Sequence, residues 1–234
     1  MASSLEQPHW EATPPDIRQL LEAIGAFSFR DRFYLGGGTA LALRLGHRVS
    51  HDLDFFSDTD RVDGDTRAEI LADLRRAFPD LEIATDTIGD LTVSIFGKDV
   101  GFYSYGYQML EPGEDLLGTR VAGLLDIAAM KLDAIAGRGL RRDFYDLYFL
   151  AQRFTLENLF ERAKQKYPRS GPRDFPMIVM PYLNDFTNAD KDKPVETLTP
   201  VKWEEVRAFF LAEAQRLANV WFLPTEEEEE DDDG

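Results

Sequence analysis

Tyr34-Leu35-Gly36-Gly37-Gly38-Thr39-Ala40, followed by Ser50-His51-Asp52-Leu53-Asp54-Phe55-Phe56, is the stretch on which the fold turns. Phe33-Tyr34-Leu35 is a short apolar run of the kind that forms a strand. The three glycines break it. Thr39 is placed to cap a short helix over 40–45, which Gly46 ends. A strand, a glycine turn and a helix start aim several backbone N–H groups in one direction. That arrangement accepts phosphate oxygens, and the helix dipole favours the anion. Glycine serves there because a Cβ would block close approach. The turn is no dinucleotide fingerprint, since Leu41 stands where a third glycine belongs, and no Walker A loop, since Gly-Lys-Ser/Thr is missing.

Asp52 to Phe56 reads as the next strand. Side chains at i and i+2 of a strand share a face, roughly 6.6 Å apart, so Asp52 and Asp54 stand together while Leu53 and Phe55 turn to the core. Two carboxylates on one face repel unless a cation lies between them. Magnesium prefers such oxygens and keeps water and phosphate as its other ligands. Magnesium (or manganese) on Asp52 and Asp54, beside a phosphate-gripping turn, is what nucleotidyl transfer requires. His47 and His51 flank the stretch. With His9 they are the only histidines, too few for a multi-histidine phosphohydrolase centre. His47 and Arg48 are expected to order the loop, or Arg48 to meet phosphate.

Outward from this stretch, Pro14-Pro15 opens a first helix over 14–30, with Ile17, Leu20, Leu21, Ile24 and Phe27 as its apolar stripe. Residues 65–78 carry a second amphipathic pattern. Strands are expected at 81–84, 91–96 and 100–105, with Gly97-Lys98-Asp99 as a hairpin turn. After about residue 120 the pattern is helical: 122–137, 142–153, 156–167, part of 174–187, and 201–219. The join falls near 112–120.

Composition narrows the classes. The 234 residues carry 26 Lys+Arg against 43 Asp+Glu, a net charge of −17, which disfavours broad nonspecific binding to nucleic acid. Eight of the excess negative charges form the run Glu226 to Asp233, a stretch expected to be disordered. The absence of cysteine excludes disulfides and thiolate zinc sites. No apolar run is long enough for a membrane helix, and residues 1–8 lack a secretory pattern, so the expected compartment is the cytoplasm.

The later helices add Lys131-Leu-Asp-Ala134-Ile-Ala-Gly-Arg138 and Arg142-Asp143-Phe-Tyr-Asp146. Lys131, Ala134 and Arg138 share a helix face, and the segment around Lys131 is apolar on most sides. Asp143 and Asp146 near a helix start also suit simple complementation of the dipole, with Asp146 paired to Arg142. Arg138, Arg141, Arg142 and Lys131 form the densest basic cluster, fit for a triphosphate or an RNA backbone.

Together with Gly37-Gly38-Thr39 and Ser50-x-Asp52-Leu-Asp54-Phe-Phe, these blocks resemble the AbiEii/AbiGii-type nucleotidyltransferase toxins, members of the DNA-polymerase-β-like superfamily. The resemblance spans residues 34–150. It implies an α+β fold: a nucleotidyltransferase-like mixed sheet with flanking helices over 1–118, a helical bundle completing the site over 119–222, and the acidic tail 223–234. It implies that Gly37, Gly38 and Thr39, with Arg48, Ser50 and Arg138, hold the nucleotide phosphates. Asp52 and Asp54 would bind the metal, Lys131 would contact the triphosphate, and Asp143 or Asp146 would complete the site. Many relatives place a third carboxylate on a later strand. Val100 to Tyr105 has none, and Asp146 is expected to help take the acceptor's proton. The implied activity is transfer of a nucleotide from an NTP to a tRNA 3′ end or a protein hydroxyl, in a toxin held by a cognate antitoxin in phage defence. The alternatives are a catalytically inactive nucleotide-binding module and a kinase-like phosphotransferase.

Overall fold

The computed structural model describes residues 3–168 and 175–222; the expected disordered tail, 223–234, lies outside them. Helix α1 (Pro15–Ile24) buries Ile17, Leu20, Leu21 and Ile24, with Pro15 fixing its first turn. It stops short of the expected end at residue 30. The Leu117 carbonyl occupies the space where a Cβ of residue 25 would stand, so only glycine fits, and the chain leaves in a 3-10 turn, Ser28–Arg32, that buries Phe29.

Strand β1 (Tyr34–Leu35) leads into α2 (Gly37–Leu45), and β2 (Leu53–Ser57) into α3 (Gly64–Ala77). The Asp63 side chain caps α3 by accepting from the Asp65 and Thr66 amides. Strands β3 (Glu82–Thr87), β4 (Asp90–Ile95) and β5 (Lys98–Ser104) follow, then β6 (Glu114–Leu116) and β7 (Thr119–Val121). They form one mixed sheet in the order β3-β4-β5-β2-β1-β7-β6. At its centre β2 runs parallel to β5 and antiparallel to β1, while β1 runs parallel to β7. The β4–β5 turn is only Phe96-Gly97, both at positive φ, so Lys98 and Asp99 belong to β5 rather than to the turn. Residues 112–120 hold the β6–β7 hairpin, around another positive-φ pair, Leu117-Gly118. The sheet thus continues through the expected join to Val121.

The rest is helical: α4 (Leu124–Gly137), α5 (Arg141–Ala151), α6 (Leu156–Lys166), the short α7 (Phe175–Val179) with a 3-10 turn after it, and α8 (Trp203–Phe222). Helix α4 is apolar almost all round, as a helix buried on most sides must be. It packs on α2, α5 and α6. A fully buried ion pair fastens it: Lys166 Nζ donates to Asp126 at 2.7 Å and to the Gln108 carbonyl, while Asp126 accepts from the Leu110 and Glu111 amides. Every polar atom of that pair has partners, which is the condition for burying it. The pair pins the segment leaving β5 across the face of α4. Among the described residues no helix is long and apolar enough to cross a membrane.

Candidate active site

The cavity opens where β1 ends. Gly37 starts α2 at φ +63°, and no side chain caps that helix, so the amides of its first turn face outward. A Cβ on Gly37 would stand 2.6 Å from Asp54 Oδ2, and one on Gly38 would overlap the Arg48 guanidinium. The glycines therefore admit a carboxylate and a guanidinium beside the helix N-terminus. Alternation along β2 buries Leu53 and Phe55 and turns Asp52, Asp54 and Phe56 to the other face. That face floors a cavity of about 970 Å³, with the cavity face of β5 beside it and α4 across from it. The volume is at the large end of ligand sites.

Asp54 is half-buried. Among the described residues its carboxylate accepts no hydrogen bond and forms no ion pair, while its backbone carbonyl accepts from the Gly36 amide at 2.9 Å. Burial, then the charge of Asp52 beside it, push its carboxyl up against the opposing pull of Lys131, Arg138 and Arg142. Asp52 is exposed and receives one long bond, 3.4 Å, from the Asp99 amide. Among the described residues no three His, Asp or Glu side chains gather as metal ligands. The two aspartates could thus hold a hard divalent cation only if water or phosphate oxygens complete its shell, as magnesium prefers.

Behind the opposite wall lies a second pair. Asp146 is fully buried and accepts from Arg48 Nε (2.6 Å), Arg48 Nη2 (2.9 Å), His47 Nε2 (2.7 Å) and Lys131 Nζ (2.6 Å). Asp143, equally buried, accepts from Lys131 Nζ at 3.0 Å and from Arg138 Nε and Nη2 at 2.9 and 3.0 Å. Against the desolvation that raises it, Arg48 and Lys131 hold the Asp146 carboxyl well below its usual range. In the same way Lys131 and Arg138 overcome burial and hold Asp143 at about 2. Burial also lowers His47, so its imidazole is neutral and donates through Nε2. Three cations on two carboxylates leave this cluster with net positive charge, and Lys131 and Arg138 carry it to the cavity.

Eight of the eleven expected site residues line the cavity: Gly37, Gly38, Arg48, Ser50, Asp52, Asp54, Lys131 and Arg138. Thr39, Asp143 and Asp146 stand behind it. The Thr39 hydroxyl donates to the Asp52 carbonyl and shares a hydrogen bond with Ser50 Oγ (2.9 Å), so it sets the approach to β2 rather than facing a phosphate. The oxygens of Asp146 are taken by four N–H donors, which corrects the expectation that it takes the acceptor's proton. Its partner is Arg48, not Arg142. Arg48 reaches the wall with Nε and Nη2 turned to Asp146 and Nη1 to the Val49 carbonyl, so its main task is internal.

Sequence reasoning missed the roof. The α7–α8 connector crosses the cavity at 192–196, held by Val49 N–H to the Glu196 carbonyl (2.8 Å) and Leu198 N–H to the His47 carbonyl (2.9 Å). The Asp192 carboxylate anchors it at the start of α5 by accepting from the Arg141 amide. It also missed Tyr103, Tyr105 and Asp133 at the far end, whereas Arg142, expected in the basic cluster, does line the charged end. The Phe56 ring packs between Tyr103 and Tyr105, at centroid distances of 5.4 and 5.1 Å, and gives that far end an aromatic wall.

Comparison with known proteins gives three findings. The model of the family described as nucleotidyl transferase AbiEii toxin, of type IV toxin–antitoxin systems, matches residues 19–231. An uncharacterized protein of Aquifex aeolicus (strain VF5) is 36% identical over 199 residues, covering 82% of this chain and 91% of that protein. The crystal structure of a candidate nucleotidyltransferase from H. pylori superposes with a TM-score of 0.50 at 18% identity, covering 88% of this chain and 93% of that one. That likeness shares the fold: a mixed sheet with flanking helices, of the α+β class.

Proposed function

Because this chain belongs to the AbiEii nucleotidyl transferase toxin family, and is thus a nucleotidyltransferase, we propose that it moves a nucleotide from an NTP to an acceptor hydroxyl in this cavity. The triphosphate lies between the bare amides of α2 and the side chains of Lys131, Arg138 and Arg142. The helix N-terminus and the three cations supply the positive field it needs. Asp52 and Asp54 hold magnesium (or manganese). When bound, the metal neutralises the triphosphate, lowers the pKa of the attacking hydroxyl and stabilises departing pyrophosphate. Asp143 and Asp146 fix Lys131 in place, and Arg48 locks the loop before β2 onto α5. The acceptor is a tRNA 3′ end or a protein hydroxyl. The protein acts in the cytoplasm as a growth-stopping toxin in phage defence, and a cognate antitoxin restrains it.

One observation carries this reading. In a site where the two deeply buried carboxylates are saturated with donors, the Asp54 carboxylate faces the helix amides with no partner among the described residues. Purified protein incubated with each labelled NTP, magnesium and total tRNA tests it. Label should appear in RNA or in protein and disappear in Asp52→Ala and Asp54→Ala variants that remain folded. Release of the γ-phosphate alone would support a kinase-like reaction instead, and nucleotide binding without transfer would support a regulatory module.

A further inference from the structure

An acceptor hydroxyl that attacks phosphorus must lose its proton, and the floor offers no carboxylate opposite Asp54. The residue in register with Asp54 on parallel β5 is Gly101. A Cβ there would overlap the hydroxyl of Tyr103, which folds back over the glycine. Gly101 is thus an empty place filled by a phenol from two residues on. On the other side of β5, Thr92 is in register with Gly101 and Asp90 with Tyr103. The Thr92 hydroxyl donates to Asp90 Oδ1 at 3.0 Å, and Thr92 Oγ1 lies 3.4 Å from Tyr103 Oη. Thr92 and Tyr103 line the same cavity as Asp54. Since the Thr92 proton points to Asp90, the Tyr103 proton is free to point to Thr92. The tyrosine oxygen lone pairs are then left for a donor in the cavity.

We propose that Tyr103 receives the acceptor's hydroxyl and that its proton is passed along Tyr103, Thr92 and Asp90. The inference rests on the nucleotidyl-transfer reading above. As the acceptor oxygen bonds to the α-phosphorus, the bond from that phosphorus to pyrophosphate breaks and the electron pair leaves with pyrophosphate. The acceptor proton goes to Tyr103 Oη, the Tyr103 proton to Thr92 Oγ1, and the Thr92 proton to the Asp90 carboxylate. Asp90 is half-buried and returns it to water. No oxidation state changes. Burial raises the Tyr103 phenol above its ordinary value, so the ring enters the step protonated and relays a proton rather than storing one. Tyr103 touches the acceptor; Thr92 and Asp90 act through it.

The test is steady-state transfer of labelled nucleotide by the full chain to whichever acceptor, total tRNA or the protein itself, takes label from the wild type. Tyr103→Phe should lower kcat about a hundredfold, the size of a general-base contribution, and leave KM for the NTP within twofold. Thr92→Val and Asp90→Asn should each lower kcat about tenfold in the Tyr103 background and not at all in the Tyr103→Phe background, because the chain is already cut. Asp99→Asn and Asp133→Asn, at two further carboxylates that line the cavity, should keep wild-type kcat. A Tyr103→Phe enzyme within threefold of wild-type kcat overturns the relay, as does a loss that follows Asp99 or Asp133, or losses at Tyr103 and Thr92 that multiply. A wild-type chain that labels neither RNA nor protein overturns the underlying reading and the relay with it.

Discussion

Two pairs of aspartates lie on opposite sides of one cavity, one on its floor and one behind its wall, and they are built in opposite ways. Asp143 and Asp146 sit behind the helical wall, fully buried, with every oxygen turned to a cation or an imidazole. Asp52 and Asp54 sit on the sheet, one exposed and one half-buried, and nothing in the described protein neutralises them. Burial pushes Asp54 up, while cations hold Asp143 and Asp146 down. A carboxylate that folding has already compensated belongs to the architecture. One that folding leaves uncompensated, at some cost, is held for something that arrives later.

The sharpest break of this contrast is at Asp54. Asp54→Asn should lower nucleotide transfer at least ~10³-fold, equivalent to ~4 kcal/mol of transition-state stabilisation. Thermal unfolding should be unchanged or slightly higher, since repulsion from Asp52 is relieved. A variant that stays active, or one that unfolds, removes the distinction. Asp146→Asn should do the reverse, leaving Arg48 and Lys131 short of a countercharge in a dry wall. Such an unpaired charge costs about 3–5 kcal/mol, to be read from urea unfolding, and native stability in this variant would show that the buried pair is ornamental. Magnesium with an NTP analogue, at a hundred times its Kd, should raise wild-type stability by about 2.7 kcal/mol. Calorimetry should find that gain missing in Asp54→Asn. Acid gives the smallest effect. Asp143 is held at about 2 against an unfolded value near ~3.9, so its contribution, about 2–3 kcal/mol, is complete above pH ~4 and fades as pH falls toward 2. Asp143→Asn should flatten that limb of the stability curve, and an unchanged limb would mean that Lys131 and Arg138 hold the carboxylate less tightly than their distances indicate.

The sheet side of the site was legible from the chain itself, because it is local. The glycine turn, the helix after it and the alternation of Asp52, Leu53, Asp54 and Phe55 follow from neighbours a few residues apart. The helical wall was less so. Arg48 and Asp146 are 98 residues apart, and local spacing offered Arg142 as the nearer partner. The β6–β7 hairpin escaped notice because its strands are three residues long and turn on Leu117-Gly118 rather than on an asparagine or aspartate. The end of α1 is set by contact with that same turn, so it could not be read from the helix alone. The roof at 192–196 is held through backbone groups, which every residue carries and no sequence pattern marks. Tyr103 over Gly101 did leave a trace, a glycine in mid-strand, which marks a close approach once the strand is known.

The knot around Asp146 also orders events in time. The ribosome delivers Arg48 long before the carboxylate that neutralises it, so the wall cannot close while α5 is still being made. A chain cut short of that helix carries the aspartates and the glycine turn in its sequence but lacks the two carboxylates that hold Lys131 across from them.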